Sequence, residues 1–207
     1  GFQVLCDLHD GFSGVGAKVT ELLHDEYSRK GILTWGLTPV THNMGDSQKN
    51  FYRVLNAALG IAHLSAHSSL FCPLSLSGSL GIKPQPPIEF PYVNYDASLN
   101  YHSSAVLAAA LDTLTVPYRL CSSQGSMMHL AEMLSFSGRK SSPVLRTLLS
   151  DLCRDLQKLG TRRCASFFAA GVEEDDFHEA LQDLRTLSQC YEMGFEADDS
   201  EDESDSD

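Results

Sequence analysis

The sequence predicts an α/β domain built on a parallel sheet, followed by a helical C-terminal portion and a disordered acidic tail. Three observations carry this. A short apolar run, a glycine-rich stretch, a helical repeat and a second apolar run follow one another at the start of the chain. Two leucine-rich stripes at helical spacing lie beyond Val144. Glu196 to Asp207 holds eight acidic residues and no basic one.

Phe2 to Leu8 reads as a strand, and His9 to Ala17 reads as a glycine-rich turn. Val19, Leu22, Leu23 and Tyr27 then recur at i, i+3, i+4 and i+8, the spacing of one helix face. Gly31 stops that helix, and Ile32 to Leu37 is the next strand. Strand, helix and strand in this order imply a right-handed crossover between parallel strands. Turn residues continue to Ser47, and Phe51, Val54, Leu55, Ala58 and Leu59 predict a helix over 51–63. A loop with Pro84, Pro86, Pro87 and Pro91 precedes a helix at about 103–114. The run Ala105 to Leu111 is apolar nearly all round, which predicts burial on several sides. A short helix is expected at about 127–134. Leu145, Leu148, Leu149, Leu152, Leu156 and Leu159 form one later stripe, and Phe177, Ala180, Leu181, Leu184, Leu187 and Tyr191 form the second. Both read as packing faces, with Asp175 or Asp176 expected to cap the second helix.

Composition excludes several classes. The net charge of −12 is concentrated in the tail; residues 1–195 carry 19 acidic and 15 basic groups. No basic stripe points to nucleic acid, and no run of 18 apolar residues could span a membrane. The six cysteines are scattered without a CxxC pair, so they read as thiols in a reducing compartment. His63 and His67 have the spacing of two ligands on a helix, but no Glu lies between them and the segment reads as strand or loop. Ser13 sits in G-F-S-G, which is not a G-x-S-x-G elbow. The tail is too charged to bury, and Ser200 and Ser204 each have an acid three residues on, as acidophilic kinases prefer. The chain opens directly on a strand without an initiator methionine, and the natural protein is expected to begin further upstream.

A strand running into glycines and then a helix is the architecture of a phosphate cradle, because glycine lets backbone N–H groups approach and the helix adds partial positive charge. Gly11, Gly14 and Gly16 give G-x-x-G-x-G, which is neither the Walker A loop nor the Rossmann fingerprint. Spacing alone leaves a binding loop and a structural turn both open.

The segment Asp10-Gly11-Phe12-Ser13-Gly14-Val15-Gly16 resembles the tubulin phosphate loop, with Ser13 in place of its threonine. Longer phrases are more specific. Leu8 to Ala17, Thr34-Trp35-Gly36-Leu37, Leu64 to Leu70 and Val116 to Leu120 resemble the Misato family, well over residues 2–136 and more loosely over 146–191. The resemblance implies a tubulin/FtsZ-like, Rossmann-type parallel sheet. Residues 1–136 would be part of that nucleotide-binding-type domain, 137–195 a helical segment, and 196–207 the tail. It places Gly11, Ser13, Gly14 and Gly16 where tubulins contact phosphates. Asn100 falls where the guanine base is recognised, and Tyr95 lies one residue from the register of the tyrosine that stacks on it. Ser75 replaces a further asparagine, and GTP or GDP is the ligand implied. Phe12 and Val15 are bulky, and Asp10 brings negative charge to a phosphate position. Ser126 stands where the tubulin catalytic acid should be, so GTPase activity is expected to be lost. The family further implies a cytoplasmic protein at the mitochondrial outer membrane, acting in mitochondrial distribution, morphology and fusion. Outer-membrane proteins, tubulin and chaperonin-type folding machinery are the implied partners. The alternative is a GTP-binding protein that assembles head to tail, or a tubulin-folding or spindle microtubule factor. The chain is expected to be shortened between about Phe136 and Val144.

Overall fold

The computed structural model describes residues 1–40, 47–83, 85–116, 145–158 and 164–199, with side chains as far as Cys190. Three strands, β1 (Phe2–Asp7), β2 (Ile32–Thr38) and β3 (Leu70–Ser75), form one sheet in the order β1-β2-β3. Both pairings are parallel, as the strand–helix–strand pattern predicted. The crossovers are α1 (Phe12–Glu26) and α2 (Ser47–His67). β3 was not predicted: Pro73 interrupts its apolar pattern and only two residues separate it from the end of α2. α3 (Asn100–Thr115) follows a loop braced by single bridges between Ser77 and Pro87 and between Phe90 and Val93. Further on, α4 covers residues 145–157, α5 spans Ala165–Ala169 and α6 spans Glu174–Asp199.

Register and pleat assign the two faces of the sheet. Cys6, Gly36 and Pro73 are aligned across the strands, as are Leu5, Trp35 and Cys72 in the next row. Successive side chains alternate between faces. The Cys6 row is the helix side, because a Cβ on Gly16 of α1 would lie 2.9 Å from the Cys6 sulfur. Gly36 receives Leu8, whose side-chain carbons come within 2.8 Å of where its Cβ would be. Trp35 is buried on the opposite face, with its indole N–H lacking a partner.

α2 is the centre of the molecule because it is apolar on more than one side. Phe51, Val54, Leu55, Ala58, Ile61 and Ala62 are buried, and they share a single cluster with Leu8 at the end of β1. Leu149, Leu152 and Leu156 of α4 and Phe177, Ala180 and Leu184 of α6 belong to the same cluster. Both leucine stripes are therefore packing faces, directed at α2. Asp155 fastens α4 to the loop after β3, its carboxylate accepting the Ile82 N–H at 2.8 Å.

Several expectations change. The glycine stretch is mostly helix: α1 begins at Phe12, leaving a turn of about four residues, and neither Gly14 nor Gly16 adopts positive φ. Residues 63–67 are helical, not strand or loop, so His63 and His67 do share a face of α2. His67 stacks at 5.9 Å from His24 of α1, and among the described residues no three His, Cys, Asp or Glu side chains are grouped to hold a metal ion. α3 is largely exposed instead of buried on several sides, Ser103 alone being buried. Asp175 and Asp176 lie inside the first turn of α6, where they complement the helix dipole without capping it. α6 runs to Asp199, past the expected boundary at 195, because Glu196 and Ala197 favour helix. The expected helix at 127–134, Ser126, the 136/137 boundary, and Ser200 and Ser204 lie outside the described residues.

Candidate functional site

The C-terminal ends of parallel strands are where open α/β sheets bind ligands, and the turn from β1 to α1 lies there. His9 and Asp10 leave the strand, and Gly11 precedes the first residue of α1 without offering a side-chain cap. Asp10 supplies one instead. Its Oδ1 accepts the Phe12 N–H at 2.9 Å, and its carbonyl accepts both the Ser13 N–H at 3.2 Å and the Ser13 hydroxyl at 2.9 Å. A carboxylate thus occupies the position at the helix N-terminus that a bound anion would use. Burial pushes the Cys6 thiol above its usual range, and the charges of Asp7 and Asp10 add to that rise.

The four cradle residues divide into two pairs. Gly11 and Gly14 are exposed, and a Cβ on either would meet nothing within 4 Å. Ser13 and Gly16 face inward. Ser13 is buried against Gly60 of α2, and Gly16 is wedged between Cys6 and Leu64. The Ser13 hydroxyl is committed to its own turn, so the side chain standing for the tubulin threonine points into the helix crossing.

The base-recognition residues lie elsewhere in the fold. Asn100 is the exposed first residue of α3. Tyr95 is half-buried in the preceding loop, donating its hydroxyl to the Ile88 carbonyl at 2.6 Å and packing at 6.0 Å from Phe90. Burial and then the charge of Glu89 push its phenol up, which keeps it a neutral donor. Among the described residues, no hydrogen bond or ring contact joins Asn100 or Tyr95 to the glycine turn. Ser75, at the end of β3, accepts the Ser77 N–H at 3.1 Å and serves its own turn.

A cleft that sequence reasoning did not single out opens beside the glycine turn, enclosing about 420 Å³, some of it open solvent. His9, Thr38, Asn50, Arg53, Ser77 and Ser79 supply its polar lining. These come from the ends of all three strands and the early turns of α2. No acidic side chain lines it, and the His9 Nδ1 is buried without a partner. Asn50 is held in place by donating to the Ile82 carbonyl at 2.8 Å. The available signal was positional: polar residues just after each strand of a parallel sheet.

Comparison with known proteins agrees with this architecture. The tubulin domain family matches residues 1–120. Protein misato homolog 1 of Homo sapiens is 68% identical over 140 residues, covering 68% of this chain and 25% of the relative. The protein of the same name from Bos taurus is 38% identical over 340 residues, covering 94% of this chain and 59% of the relative. Protein misato of Drosophila melanogaster is 33% identical over 147 residues, covering 68% of this chain and 25% of its own length. The chain therefore spans about a quarter of the human and fly relatives it matches. The aligned bovine span exceeds the 207 residues present here, so that relative carries residues with no counterpart in this chain, as a shortened form requires. The chain belongs to the tubulin domain family and, within it, to the Misato proteins.

Proposed function

We propose that this chain is a non-enzymatic, tubulin-like Misato factor that acts in mitochondrial distribution, morphology and fusion from the cytoplasmic face of the outer membrane. The organelle role follows from the Misato resemblance of residues 2–136. The non-enzymatic reading rests on one observation above others: Asp10 places its own carboxylate on the Phe12 N–H, at the helix terminus a nucleotide phosphate would need. A phosphate brought to that turn would compete with this carboxylate for the same N–H and meet its like charge. The inward Ser13 supports the same reading, as does Ser126 in place of the tubulin acid. No helix among the described residues is long and apolar enough to cross a membrane, so attachment through outer-membrane proteins is the mode proposed.

Titration with labelled GTP and GDP tests the pocket. The expected result is no saturable binding and no turnover above background. Micromolar binding that Gly14→Asp abolishes would instead favour the head-to-tail GTPase, the reading that the open Gly11 and Gly14 keep in play. The organelle role is tested by re-expression in cells depleted of their Misato protein. Restoration of the mitochondrial network by the full-length relative is expected, and a network indifferent to depletion would refute the role.

A further inference from the structure

Three histidines meet where the two crossover helices end. α1 and α2 run side by side in the same direction: Ser13 abuts Gly60, Gly16 abuts Leu64, and His24 stacks on His67. The Ser13–Gly60 contact leaves no room for a Cβ, which sets the spacing of the helices before their last turns. His63 and His67 lie one turn apart on α2, the spacing with which two helical imidazoles hold one metal ion.

The neighbouring helix adds a third ring. His24 of α1 lies 5.9 Å from His67, centroid to centroid, with the rings inclined at 57°. Two imidazoles bound to one tetrahedral ion through nitrogens at about 2.0–2.1 Å place their centroids about 5 Å apart. The pair already stands within about 1 Å of that arrangement. His63 belongs to the same seam, because the charges of His67 and His63 both act on Glu21, one turn before His24 on α1. The Lys18 ammonium, bonded to Glu21 at 2.6 Å, is the first cause holding that carboxyl below its usual range. A carboxylate here offsets part of the charge of a dication. No three of these donors converge as they stand. His63 and His24 are exposed, so an ion reaches them from solvent and His63 has space to turn. Rotation about side-chain bonds closes the group with both helices in place.

We propose that His24, His63 and His67 together bind one zinc-type transition-metal dication, which clamps the last turns of α1 and α2. Imidazole nitrogens suit zinc and its neighbours, whereas magnesium and calcium prefer oxygen ligands. Three protein ligands leave the fourth tetrahedral position to water. The clamped ends lead into β2 and β3, so the ion ties the two crossovers of the sheet to one another.

Calorimetric titration of the 207-residue chain with zinc chloride tests this, with Cys190→Ser present throughout to remove the exposed thiol. One zinc per chain at micromolar Kd is expected, and magnesium chloride should give no heat of binding. His24→Gln, His63→Gln and His67→Gln should each weaken zinc by about tenfold or more, as loss of a direct ligand must cost at least what loss of an outer partner does. Helical circular dichroism of each variant should match the parent. Zinc binding that survives all three substitutions, or none below about 1 mM, would overturn the proposal. Dependence on His63 and His67 without His24 would also overturn it, by confining the ion to α2. Footprinting with diethyl pyrocarbonate supplies a readout free of substitutions at the site. Zinc should protect His24, His63 and His67 while leaving exposed His102 and His178 reactive. Equal labelling of all five with and without zinc would refute the site.

Discussion

Gly60 and Ser13 meet where α1 crosses α2, so closely that a Cβ on Gly60 would fall 2.7 Å from the Cβ of Ser13. Both backbones are helical there, and neither can retreat without disturbing Leu8 or the sheet beneath. Gly60→Ala is therefore expected to destabilise the fold by about 1–3 kcal/mol, despite the better helix propensity of alanine. Gly14→Ala meets open space and should be neutral or stabilising by up to about 1 kcal/mol. Urea unfolding of the two variants checks the contrast, and equal effects would contradict the crossing described.

Asp10 acts as an external cap for α1. Asp10→Ala should cost about 0.5–2 kcal/mol. Asp10→Asn should cost less, because an amide oxygen can still accept the Phe12 N–H. Thermal unfolding of both variants at low and high salt separates the hydrogen bond from the charge, since only the latter is screened.

Leu184 of α6 is fully buried in the cluster centred on α2. Leu184→Ala should lower stability by about 2–5 kcal/mol. Trp35, the single tryptophan, is buried in β2 and reports on the sheet. Its fluorescence and the helical circular dichroism should fall in one transition at the lowered midpoint. A sheet signal unmoved by the substitution would show that α6 is an independent unit.

The thiols provide a pH prediction. Burial raises Cys6, Cys72, Cys153 and Cys164 above the ordinary thiol range. A neutral group whose ionisation is suppressed by folding stabilises the fold fully below its unfolded pKa. That contribution is lost as pH rises through the folded value. The urea midpoint should therefore decline above pH about 8.5, where unfolded thiols ionise. Mass-mapped alkylation at pH 8 should label exposed Cys190 first, half-buried Cys6 and Cys72 more slowly, and buried Cys153 and Cys164 only on unfolding.

Periodicity was enough for the first strand–helix–strand unit and for the leucine stripes of α4 and α6, because each of those faces packs on one surface. It failed where tertiary contact overrides local preference. Gly14 and Gly16 suggested a long turn, yet Gly16 is a helical residue kept small by the Cys6 sulfur. β3 was obscured by Pro73, and α3 lacks the cover that its apolar sequence anticipates. At the candidate site, the glycines marked the turn between β1 and α1. The inward rotation of Ser13 and the cleft of Asn50, Arg53 and Ser77 could not be read from spacing, since both depend on how α2 approaches the strand ends.

The shared cluster of α2, α4 and α6 bears on how a cell would dispose of the protein. Since α2 is packed on one side by the sheet and on another by the C-terminal helices, losing either cover exposes Phe51, Leu55 or Ile61 to solvent. No cut between these parts leaves two pieces that each keep their apolar surface hidden. Damage at one end becomes visible to proteases and chaperones at the other, and the chain should turn over as one body.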